Sequence, residues 1–99
     1  MKKIEAGEPV IIILHNPREK IFGVLQEINS SGAFVRGVDL NYFDEWTNAI
    51  KTGEPHLPMQ DLFFPMWRVE RVSRDESSPD LISLTEQFKR KTGFEIFDL

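Results

Sequence analysis

Between Val10 and Leu40 the chain carries three consecutive apolar runs separated by two compact turns, and no other stretch restricts its fold as tightly. Val10 to Leu14 is five aliphatic residues, four of them β-branched. His15-Asn16-Pro17-Arg18 ends the run, because Asn and Pro favour a turn and Pro17 has no N–H for a ladder. From Ile21 the alternation places Ile21, Gly23 and Leu25 on one face and Phe22, Val24 and Ile28 on the other. Asn29-Ser30-Ser31-Gly32 then turns the chain into Ala33 to Leu40. The connections are too short for parallel crossovers, so an antiparallel meander is expected.

The remaining elements are shorter. Asn41 to Gln60 breaks the strand pattern: Asn41 or Asp44 is placed to cap a short helix with Trp46, Ala49 and Ile50 at helical spacing, ended by Thr52-Gly53-Glu54-Pro55. A fourth strand is expected at Asp61 to Phe64, a break at Pro65, and a fifth strand at Trp67 to Arg74. Asp75-Glu76-Ser77-Ser78 reads as a polar linker. Pro79, or the box Ser83-Leu84-Thr85-Glu86, opens a C-terminal helix with Leu81, Leu84 and Phe88 on one side, Lys89 to Lys91 in its last turn and Gly93 at its end. The reading is a barrel at 1–74 and a linker with a helical extension at 75–99. Five short strands with a glycine inside the second suggest a small SH3-like or OB-like barrel, with Gly23 the candidate bend.

Charge and composition narrow the functional classes. Residues 1–74 hold ten acids against nine bases, and residues 75–99 six against three, so the net −4 comes mostly from the tail. Neither part has the basic excess of an electrostatic nucleic-acid footprint. There is no cysteine, which removes disulfides, thiolate metal sites and cysteine nucleophiles. No apolar run approaches the ~20 residues of a membrane-crossing helix. Glu8 and Pro9 interrupt the start too early for a secretory signal, so a cytoplasmic location is the default expectation.

The strand residues carry a resemblance. Val10-Ile11-Ile12-Ile13-Leu14, then Gly23-Val24-Leu25 with Ile28, then Ser31-Gly32 leading into Phe34-Val35-Arg36-Gly37-Val38, resembles the first motif of the Sm-like proteins, the family of the Hfq-type RNA chaperones. Leu62 to Val72 resembles that family's last two strands. The resemblance covers residues 8–74 and implies a mainly β fold: a five-stranded, bent antiparallel Sm-like or SH3-like barrel, here with a short helical insertion and a C-terminal helix. It also implies self-assembly, with a ring as one form, through pairing of the fourth strand of one subunit with the fifth of the next. The RNA site does not follow: Asn29 stands where the family often has Asp, Ala33 where its Sm branch has a base-contacting Asn, and Pro65-Met66-Trp67-Arg68 replaces the second motif.

Chemistry-bearing patterns are sparse. His15 and His56 lie in separate turn or loop segments without an evident orienting partner, and Asp39, Asp44 and Glu45 read as a loop entry and helix cap before they read as a cation site. There is no phosphate loop, nucleophile elbow or paired-histidine motif, so neither an enzyme nor a cofactor is expected; a small enzyme using His15 or the Asp39 cluster ranks last. For RNA, the alternative reading, the candidate contacts are Trp67 and Arg68. The preferred reading is a non-enzymatic, self-assembling binding or scaffold module, a homo-oligomer whose interface comprises Leu62, Phe63, Phe64, Met66, Trp67 and Val69. The tail helix, the long loop or another subunit is available to cover this apolar surplus.

Overall fold

A computed structural model describes residues 2–99. The chain folds into β1 (Pro9–Leu14), β2 (Glu19–Asn29), β3 (Gly32–Asp39), α1 (Phe43–Thr52), β4 (Gln60–Pro65), β5 (Val69–Arg74) and α2 (Leu84–Thr92), in that order. All five strands join one antiparallel sheet in the order β4-β3-β2-β1-β5. The meander expected from the sequence is its centre. No ladder joins β4 to β5, so the sheet is open and these two strands are its edges. No helix among the described residues is long and apolar enough to cross a membrane.

Local details depart from the sequence reading for identifiable reasons. A bulge in β2 places both Leu25 and Glu27 opposite successive residues of β3, with Gln26 as the extra residue. That insertion reverses the alternation, so Ile28 lines the same cavity as Leu25 instead of joining Phe22 and Val24. Trp67 does not begin the fifth strand: Met66–Arg68 is a 3-10 turn, and β5 starts at Val69. Neither Asn41 nor Asp44 caps the insertion. Asp39 accepts from the Asn41 N–H at 2.8 Å, heading a 3-10 turn at Leu40–Tyr42 that runs into α1.

Gly23 and Gly37 face each other across the β2–β3 ladder. A Cβ on Gly23 would fall on the Arg36 carbonyl oxygen and 2.6 Å from the Gly37 Cα, so the pair allows a backbone approach that no side chain permits.

Each face of the sheet has its own core. One gathers Val10, Ile12, Leu14, Ile21, Leu25, Ala33, Val35 and Phe64, with Ile4, Leu62, Val69 and Val72 packed against it. The other gathers Phe22, Val24 and Val38 under Phe43 and Trp46 of α1, Phe88 of α2, Met59 and Ile96. Aliphatic residues on both sides of β1 are thus accounted for by a core on each side. The tail supplies part of that cover, with Phe88 fully buried and stacked on Trp46 at 5.0 Å. The α2 N-terminus is held twice. Ser83 accepts from Glu86 N–H at 3.1 Å, as the box predicts, and buried Asp75 accepts from Leu84 N–H, Thr85 N–H and the Thr85 hydroxyl at 2.6–2.9 Å. The long loop after α1 is also a packing device: Trp46 Nε1 donates to Leu57 O at 2.9 Å, and Met59 is buried.

Candidate functional site

The helices cover only part of their face of the sheet. Along β3, alternation puts Phe34 and Arg36 on the same side as buried Val38. Phe34 lies beyond the helices and is 39% exposed. Register sets it opposite Phe63 of β4, which is 46% exposed. The two rings sit 4.7 Å apart, tilted by 45°. Gly32 makes room for this arrangement, since a Cβ there would come within 2.8 Å of the Phe63 ring. Arg36 borders the pair, donating to Asp61 Oδ1 at 3.1 Å and to Leu99 O at 3.0 Å. A shallow depression of about 360 Å³ lined by Gln26, Phe34, Val35, Asp61, Leu62 and Phe63 opens beside β4.

Among the six residues assigned to an interface from the sequence, the structure leaves Phe63 and Trp67 exposed, Trp67 at 61%. Leu62, Met66 and Val69 are half-buried, and Phe64 is buried in the core. The stretch therefore alternates between inward and outward side chains while its backbone stays on the sheet edge. Phe34 was missed. Its signal was an aromatic between the inward-facing Ala33 and Val35, but recognising it needed the β3–β4 register.

The candidate RNA contacts separate. Trp67 projects from the β4–β5 turn, whereas Arg68 is directed back into the molecule. Its guanidinium donates to Pro17 O at 3.0 Å, Glu19 Oε1 at 3.3 Å and His15 O at 3.4 Å, and sits 6.0 Å from the Phe64 ring centroid. Of the two, Trp67 is the exposed side chain.

The other edge is built differently. On β5, Glu70 and Arg71 are exposed, and Glu70 meets Arg18 at 3.5 Å. Arg74 grips Glu8 through Nε at 2.6 Å and Nη2 at 3.3 Å, and Nη2 also donates to the Lys2 and Lys3 carbonyls. This clamp, helped by the Glu5 N–H, lowers the Glu8 pKa from an ordinary 4.5 to about 2, while the same hydrogen bond raises that of Arg74. The first residues are thereby held at the Arg74 end of β5, where Ile4 packs on the core.

Histidine and carboxylate candidates are dispersed. His15 is exposed in the β1–β2 turn, and the His56 ring contacts the neighbouring Leu57 O at 3.0 Å. Asp39 is engaged as a cap, with Asp44 and Glu45 in the first turn of α1. Among the described residues no three histidine, cysteine or acidic side chains converge as a metal site would require. Compared with protein-family models, curated proteins and solved structures, the chain matches none.

Proposed function

We propose that this chain is a non-enzymatic, self-assembling binding and scaffold module of the Sm-like, bent-barrel type, assembling through the edge strands of the stretch Leu62–Val72. The observation that carries the reading is the β4 edge: a strand paired with β3 on one side and with no ladder partner on the other, whose outward side chains include the exposed Phe63, stacked on Phe34. Unpaired N–H and C=O groups on such an edge are ordinarily protected by charge, proline or cover. Here Asp61 already bonds Arg36, and Pro65 only terminates the strand.

Curvature supports the barrel-type reading. Met66 N–H donates to Ser31 O in the β2–β3 turn, and Arg68 O accepts from His15 N–H in the β1–β2 turn, both at 2.9 Å. Residues 66–68 span at most about 10 Å, yet those turns lie at opposite ends of the 11-residue β2, which would run roughly 36 Å if straight. The sheet must curl strongly for one short turn to reach both.

Light scattering after gel filtration tests the assembly. At tens of micromolar the wild type is expected to elute as an oligomer, and Phe63→Glu as a folded monomer. A monomeric wild type overturns the reading.

A further inference from the structure

The two edges of the sheet are chemically unlike, and the difference selects a partner. β5 presents Glu70, Arg71 and Arg74, and the N-terminal segment is held at its Arg74 end. Charge and cover of this kind protect an edge from strand addition. β4 presents one acid already bonded to Arg36, and beside it the Phe34–Phe63 pair.

Face parity distinguishes the two ways of filling the β4 edge. Residues directly opposite in an antiparallel ladder share a face. Ser73 pairs with Ile11, which packs on the helix-covered core, so Ser73 lies on the Phe63 side of the sheet. Arg71, two residues away, lies on that side too. A β4–β5 contact between copies would therefore place Phe63 against Arg71 or Ser73 and leave the aromatic pair half wet. A β4–β4 contact places it against its own kind.

We propose that two copies of this chain pair antiparallel along β4, edge to edge, across a two-fold axis at Phe63. This rests on the self-assembly reading above and narrows it to one edge and one symmetry. Phe63 then faces the partner's Phe63, Leu62 faces the partner's Phe64, and the two Phe34–Phe63 stacks join in a four-ring cluster. A two-fold contact uses the same patch on both subunits and closes the assembly at two. Pro65, with no N–H, ends the shared ladder at its outer positions. A single six-residue edge with one aromatic pair per copy is well below a standard interface of roughly 1,600 Å², so a dissociation constant in the micromolar range is expected.

The absence of native cysteine makes the geometry readable by cross-linking. Under mild oxidation Phe63→Cys alone is expected to give a covalent dimer and nothing larger. Sedimentation of the wild type is expected to show a monomer–dimer equilibrium. Phe34→Ala, which keeps the strand but removes half of the stack, is expected to weaken it at least tenfold while the monomer stays folded. If Phe63→Cys stays monomeric while the double variant Phe63→Cys, Arg71→Cys forms a ladder of higher oligomers, the copies pair β4 to β5: the inference falls and self-assembly survives. If wild-type sedimentation shows only monomer and neither variant cross-links, both fall.

Discussion

Single residues set how closely the strands approach and how the N-terminal segment is held. Gly23 has no space for a methyl group, because the Arg36 carbonyl and Gly37 Cα occupy it. Gly23→Ala is expected to cost about 1–3 kcal/mol through displacement of β3, read as a lower urea midpoint with an unchanged slope. Glu8 makes its contribution through charge. Its carboxylate is held by Arg74 with a pKa near 2 against an ordinary 4.5, so the stabilisation is complete above pH 4.5 and disappears as pH falls towards 2. Glu8→Gln should lose stability at neutral pH and show a flatter midpoint between pH 4.5 and 2 than the wild type. An equally steep decline in the variant would assign the acid sensitivity to other carboxylates. Neither role was legible from residue order: Gly23 stood out as a bend candidate, but its contact with Gly37 depends on register, and Glu8 lies 66 positions from Arg74.

At the level of elements, β-branched runs and turn residues located the strands well, because strand formation and turn chemistry are local. The misplacements involve tertiary choices or competition between nearby caps. Gln26 bulges and transfers Ile28 to the other face, Met66–Arg68 tightens into a turn where alternation suggested strand, and Asp39 replaces its neighbours as a cap. The candidate edge was legible as an aromatic surplus at Leu62 to Trp67, but its exposed member Phe63 acquires meaning only beside Phe34. α2 has a short amphipathic sequence that depends on its anchors. Asp75→Ala removes a buried acceptor of three hydrogen bonds and is expected to destabilise by about 2 kcal/mol, with loss of helical circular dichroism preceding loss of the sheet. Simultaneous loss of both signals would make Asp75 an anchor of the whole fold instead of its last helix.

Across the molecule, the tail packs on the helix-covered face of the sheet, where Phe88 and Ile96 complete the core over Phe22 and Trp46. Burial of Trp46 against Phe88 makes its fluorescence a reporter of tail docking. In urea the wild type is expected to show coincident fluorescence and far-ultraviolet transitions, as one cooperative unit does; a separate early fluorescence change would mean that the tail undocks alone. The short turn at Met66–Arg68 carries a further consequence, for exchange with solvent. Hairpin tips are normally the first parts of a sheet to release their amide protons, each on its own schedule. Here both central tips bond the same three residues, through Ser31 O to Met66 N–H and through His15 N–H to Arg68 O. An excursion that frees residues 66–68 deprives both tips of their partners at once, so the amides of Met66 and His15 should share one opening free energy although the two tips lie at opposite ends of β2.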